Sequence, residues 1–539
     1  MLSPSAPNSP AARTAATGLP PTVAPTVLAF AAMLGIVGDA LLSDGPVGLG
    51  FPLWISLLTG SVVALAWRAG LEVTREAGAW LAAAVVCASF MAWRDAELLR
   101  VLDFMGAFGS LVVAAAVINT PRSILFAANL GDVARALLNV GRTAAIGFFP
   151  LAFREATAPL DQPHLETRWS NATRAVLIAL PLLIVFGALL RAADPIFASI
   201  VSIPAFDGGR FVGHVLTVLF LTIAVGGWAR AALLPKAAES PATSPARFRL
   251  DSLEITAGLG TLNALFAAFL AVQAGWFFGG EEFLRARTGL TAAEYARQGF
   301  FQMVATVALV VPLLVATRAL LAPGARLAQR YLMLAMPIVA MLGLILVSAA
   351  LRLRMYVEYY GLTEDRLYAL VFMLWLGVVL AWMAATVLRG WWRPFLAGVA
   401  ISAFSTLVGL NVAAPDRIVA RVNLGRAAST VVSRGVDVRY LSQLSGDAVP
   451  LAVQAVLSDA QPPTESGSID RGGRCAAAKT LLARWGATSP RARGREQPWA
   501  WRTWNAGEAR AIAVVRANAT ALRQVARDAC RRAAIQPLP

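Results

Sequence analysis

Uninterrupted apolar runs of about twenty residues recur along most of this chain, and that length is what an α-helix needs to cross roughly 30 Å of hydrocarbon. The first is Val23 to Leu42. Ten more follow, at roughly 47–67, 77–93, 98–118, 173–191, 211–232, 253–278, 298–321, 331–351, 366–388 and 393–412. None alternates with the period of two that a membrane β-barrel strand requires. Helices are the structures that satisfy their own backbone N–H and C=O groups in lipid with so continuous an apolar sequence. The expected fold is all-α: a polytopic transmembrane bundle of about eleven spans, with a small helical C-terminal domain outside the membrane.

Composition agrees. Of the 539 residues 58% are hydrophobic and 14% charged, whereas soluble domains carry about 25% charged residues. Mean hydropathy is +0.63.

The expected organisation has five parts. Residues 1–22, rich in Pro, Ala, Ser and Thr, read as a disordered leader. Residues 23–118 hold four spans and 173–412 seven. Between them, 119–172 carries arginines among apolar residues at helical spacing, which fits an amphipathic connection lying in the interface. The apolar stretch 143–153 within it is short for a span, and its insertion would flip the sidedness of everything after it. Residues 413–539 form the tail, with helices expected at Arg417–Ser429, Tyr440–Leu444, Asp447–Asp459, Arg474–Trp485 and Ala506–Ala533, and a loop at Gln461–Gly473.

The formal net charge is +16, and much of it lies in the tail. A basic region beside a membrane points to anionic lipid headgroups before nucleic acid, so the expected partners are the bilayer and anionic lipids, with no specific nucleic acid. Basic residues are more numerous in the loops that share a side with the N-terminus, which favours a cytoplasmic N-terminus. An odd number of spans then puts the tail outside the cytoplasm. There Cys475 and Cys530 can form a disulfide; two unpaired small core residues is the other reading. The setting expected is the cytoplasmic (inner) membrane.

Enzyme signatures are sparse. The sequence has no Walker A loop and no Cys-x-x-Cys, and its only histidines are His164 and His214. No metal site, cofactor or catalytic residue is expected. Polar residues in or near spans are better leads, because such groups face a partner or a cavity. They are Asp39, Asp103, Asn263 and Gln273, the last two equally suited to bonding helices together.

The densest polar cluster runs from Arg352 to Tyr368. Arg354 and Glu358 are spaced to pair across one helical turn. Gly361 suits a helix C-terminus, and Thr363 can cap the next helix. With Arg352, Tyr356, Tyr360, Arg366 and the more distant Asp194, these residues make up a candidate polar face at the membrane surface. An interfacial anchor and a headgroup, sugar or peptide pocket are both open readings.

The same cluster carries a resemblance. Ser348 to Arg352, Tyr356, Tyr360-Gly361-Leu362-Thr363 and Arg366-Leu367-Tyr368 resemble the bacterial membrane family called domain of unknown function 4173. Ala193 to Phe197, Gly279 to Phe301, and Asn411 with Pro415-Asp416, Ile418, Ala420-Arg421 and Asn423 are similar to it too, as are Tyr440-Leu441 and Asp447 to Pro450. The resemblance implies a membrane topology and no reaction. Three function classes stay open. The first is a cell-envelope scaffold, sensor or accessory component. The second is a transporter or channel with Asp39, Asp103, Asn263 and Gln273 on one cavity. The third is a membrane-embedded transferase using Glu358 or Asp194 with Arg352 or Arg354.

Overall fold

A computed structural model describes residues 18–43, 45–118, 130–156, 208–234, 249–288, 300–391, 393–427, 437–458, 467–489 and 500–535, with a few isolated positions; within 274–288 it describes the backbone alone. The expected leader, the span at 173–191 and the loop residue Asp194 lie outside the described residues. Ten helices among those described are long and apolar enough to cross a membrane.

The fold is a polytopic helical bundle, and its first half packs around small residues. The helices are α1 (Ala24–Leu42), α2 (Gly50–Arg68), α3 (Arg75–Trp93) and α4 (Glu97–Val117). Ala84, Cys87, Ala88, Ala107, Ala114 and Ala115 are completely buried between α3 and α4. Lipid offers no hydrophobic gain for helix association, so close backbone approach through small side chains takes its place. At Gly106 an added Cβ would lie 2.9 Å from Cys87 Sγ and from Leu407 Cδ2. Two tryptophans find acceptors for their indole N–H groups: Trp54 donates to the Leu34 carbonyl and Trp228 to that of Leu111, each at 3.0 Å.

The connection after α4 contains α5 (Leu130–Ile146) and a continuation, Phe148–Glu155, bent by 53°. Its start packs Val133 against Trp80, Val113 and Ala397. Its end brings Glu155 to Arg230, whose Nε donates at 3.0 Å. Trp80 lies near the start of α3 and Arg230 near the end of α6 (Gly208–Leu233). Both ends of the described connection therefore lie on the face that carries the N-terminus of α1.

The second half comprises α7 (Ser252–Thr288), α8 (Phe300–Ala319), α9 (Ala325–Tyr360), α10 (Glu364–Ala385) and α11 (Arg393–Ala413). Its core holds Leu314, Tyr331, Ile338, Leu342 and Met373. α7 continues through Gly279-Gly280, where the sequence suggested that a span ends. The 36 residues of α9 reach about 54 Å, far more than the hydrocarbon thickness, so its last turns stand clear of the lipid.

The tail holds α12 (Pro415–Ala427), α13 (Val438–Gln443), α14 (Val449–Leu457), α15 (Gly467–Trp485), α16 (Ala506–Ala517) and α17 (Ala519–Ile535). Two expectations are corrected. The loop expected at Gln461–Gly473 is already helical from Gly467, and the helix expected over Ala506–Ala533 breaks at Asn518. The tail core of Trp485, Leu481, Val453 and Val515 also takes in Leu362 from the turn between α9 and α10 and Leu367 from the start of α10. The tail is thus packed onto the bundle.

Candidate functional site

The polar chemistry of the chain collects where the tail meets the bundle. Arg94, in the short turn between α3 and α4, is 5% exposed. Its Nε donates to the Asn411 carbonyl at 2.6 Å, and a terminal nitrogen lies 3.1 Å from Asp447 Oδ1 in the tail. Arg510, on α16, meets the same carboxylate oxygen at 2.9 Å. Asn505 caps α16 by accepting from the Glu508 N–H, while its amide donates to the carbonyls of Met91 and Arg94. One residue thus begins a tail helix and closes the end of a membrane helix.

The turn Ser445–Gly446 is held by two acids, Asp416 from the first tail helix and Asp95 from the bundle. Asp416 Oδ2 accepts from the Ser445 N–H at 2.9 Å, and Asp95 Oδ2 from the Gly446 N–H at 3.2 Å. Arg484 closes the neighbouring α13 by donating to the carbonyls of Ser442, Gln443 and Leu444, as a cation does at the negative end of a helix.

A second clamp grips the α9–α10 turn. Asn423 accepts from the Leu362 N–H at 2.9 Å and donates to the Leu362 carbonyl at 2.7 Å. Gly361 has φ +83°, the conformation in which a side chain is strained, and a Cβ there would also meet Asn423 and Arg426.

Between these clamps lies a cavity of about 600 Å³, in the range of small-molecule sites. Its wall mixes acids (Asp95, Glu97, Glu364, Asp416) with arginines (Arg100, Arg484, Arg491), and Met91, Val101 and Phe104 give one apolar side. Burial pushes the Asp95 carboxyl above the ordinary carboxylate value, against the pull of Arg491, the Gly446 N–H, Arg100 and Arg484. Burial likewise raises Asp447 against Arg94 and Arg510, and lowers Arg484 with help from neighbouring Arg491. Two buried groups on the wall have no hydrogen-bond partner among the described residues: Asp416 Oδ1 and Ser445 Oγ. The Glu364 carboxyl faces that of Asp416 within hydrogen-bonding reach, and two such buried carboxyls can share a proton.

The intramembrane candidates separate into distinct helix junctions. Asp39 pairs with His214 Nδ1 at 2.9 Å and accepts from Ser43 at the end of α1. Asp103 is completely buried and accepts from Asn411 Nδ2 at 2.7 Å, joining α4 to α11. Asn263 donates to the Leu334 carbonyl at 2.9 Å, and Gln273 accepts from Ser348 at 2.6 Å, so both tie α7 to α9.

Of the candidate polar face, Arg354 and Glu358 pair at 2.9 Å in the open, with side chains 76% and 60% exposed. The Arg366 guanidinium covers the Tyr356 ring at 4.2 Å, and Tyr360 lies against Tyr356. Arg352 is buried. Thr363 stands at the N-terminus of α10 but its side chain makes no capping bond; instead the Tyr440 hydroxyl accepts from the Glu364 N–H at 3.0 Å. Cys475 and Cys530 are joined by a disulfide, Cα to Cα 5.2 Å. Sequence reasoning missed Arg94, Asp95, Arg484 and Asn505 as site residues. For Arg94 and Asp95 the available signal was an adjacent charge pair in a very short turn between two spans.

Fold and seam together define a multi-pass helical membrane protein whose tail is bonded to one face of its bundle. The chain belongs to the family described as Domain of unknown function (DUF4153), whose model matches residues 80–455. The resemblance drawn from the motifs pointed to a differently numbered family, 4173; the uncharacterised class is common to both. No curated protein and no solved structure matches the chain.

Proposed function

We propose that this protein is a cell-envelope sensor or accessory component of the bacterial cytoplasmic membrane, working through the cavity at the tail–bundle seam. The N-terminus is cytoplasmic and the tail extracytoplasmic, which suits a Cys475–Cys530 disulfide in an oxidising compartment. The carrying observation is where unsatisfied polarity lies. Asp103 Oδ2 and Asn263 Oδ1 are orphaned within the bundle, but Asp416 Oδ1 and Ser445 Oγ are orphaned on residues that line a cavity of about 600 Å³. Buried polar atoms are normally satisfied, so orphans on a cavity wall favour a bound ligand. Transport is disfavoured because its four candidate residues divide among three junctions, with only Asn263 and Gln273 sharing one. The Glu358 transferase is disfavoured because that acid is exposed and paired with Arg354.

Cysteine accessibility tests this reading in a background where Cys87 is replaced by serine. Gln443→Cys, on the cavity wall, should react with a membrane-impermeant maleimide in intact cells. Ser348→Cys, beside Gln273, should react from neither side. Labelling of position 348 would restore an aqueous path and the transport reading, and labelling of 443 from the cytoplasm alone would reverse the topology.

A further inference from the structure

We propose that the seam cavity binds the headgroup of an aminophospholipid, a phosphate joined to a primary ammonium, entering from the bilayer. The inference rests on the seam being the functional site.

The ammonium end follows from the acids. Asp416 is 1% exposed and its Oδ1 has no partner, and Glu364 sets a second carboxyl against it. Two carboxyls facing each other can share one proton, and a cationic donor entering between them takes that proton's place. No group of three or more His, Cys, Asp or Glu among the described residues could hold a metal ion, whereas a primary ammonium brings three donors and one charge. Ser445 Oγ, also orphaned, can accept one of them.

The phosphate end follows from the arginines on the same wall. Arg491 lies over the Trp485 ring at 4.6 Å and meets Glu508 through Nε at 3.3 Å, which holds its guanidinium at the cavity wall. Arg100, in the first turn of α4, lines the same wall and donates to the Val47 carbonyl. Guanidinium is the side chain best matched to phosphate oxygens.

The source follows from the apolar side. Val101 and Phe104 are 50% and 46% exposed on a membrane helix, and both line the cavity. A ligand seated by its headgroup can lay its chains along that strip.

Native mass spectrometry of the full chain in detergent tests this with added phosphatidylethanolamine, phosphatidylcholine and phosphatidylglycerol of identical chains. Phosphatidylethanolamine should bind roughly tenfold tighter than the other two, as hydrogen bonds to charged groups permit. Glu364→Gln should abolish that preference, and Arg491→Gln should weaken the binding of all three lipids alike. Asp416→Asn also removes the acceptor of the Ser445 N–H, so the first two variants carry the test, with an unchanged unfolding midpoint as their control. Equal binding of the three lipids overturns the proposal, as does preference for phosphatidylglycerol. Free phosphoethanolamine binding as tightly as the lipid would overturn the bilayer source. Equal lipid binding with normal labelling at position 443 removes the ligand alone, whereas failed labelling removes the seam reading itself.

Discussion

Arg94 and Asp447 meet at 3.1 Å with side chains 6% and 4% exposed, although 353 residues separate them. One belongs to a turn between membrane helices and the other to the tail, so this contact fixes the tail to the bundle. Removing one partner of a buried pair costs about 3–5 kcal/mol when the other is left alone, and Arg510 stays on Asp447, so the loss here should fall below that range. Arg94→Ala should therefore lower the thermal unfolding midpoint and expose the tail to protease. Arg354→Ala, which breaks an exposed pair, should change the midpoint little.

Tyr440 performs the capping that Thr363 was expected to perform. Tyr440→Phe deletes the acceptor of the Glu364 N–H and should destabilise by about 1 kcal/mol, in the range of cap removals. Thr363→Val should be nearly neutral in the same denaturation assay. The reverse order would show that Thr363 caps α10 after all.

The Asp95 carboxyl has a pKa raised by burial, so the folded chain holds its proton more tightly than the unfolded chain. Its contribution is fully present below the ordinary carboxylate value and is lost as pH rises through the raised folded value. Asp447 shifts in the same direction. The unfolding midpoint of the natural protein, relative to Asp95→Asn, should fall as pH rises through that window. A relative midpoint that climbs would contradict the direction of the shift.

The Cys475–Cys530 bond closes a separation of 55 residues. A loop of that length stabilises by about 4 kcal/mol in the chain-entropy account. Reduction should loosen α15 and α17 toward hydrogen exchange while α1 to α4 keep their protection. Equal loosening throughout would mean that the bond acts on more than the tail.

The spans were legible because apolar length is a local property, and ten of the eleven expected match described helices. Gly361 was legible as a helix end for the same local reason. The tail boundaries were less so: Gly467 starts a helix within a Gly/Ser/Pro-rich stretch, and Asn518 breaks an otherwise continuous helical pattern. The seam was illegible as a site because its bonds join positions such as Asn505 and Arg94, 411 residues apart. Composition ranked the Tyr356 cluster highest, yet its charges pair locally. Asn411, Asp416, Asn423, Tyr440 and Asp447 were noticed as motif residues, and each turns out to bond between the tail and the bundle or within the bundle beside the seam.

A double-mutant cycle on Arg94 and Asp447 tests the docking of the tail most directly. Arg94→Ala, Asp447→Ala and the double variant would be compared by the hydrogen-exchange opening free energies of α14 and α16. Contact at the seam predicts that the single effects exceed additivity by about 1 kcal/mol or more. Effects that simply sum would contradict the docking.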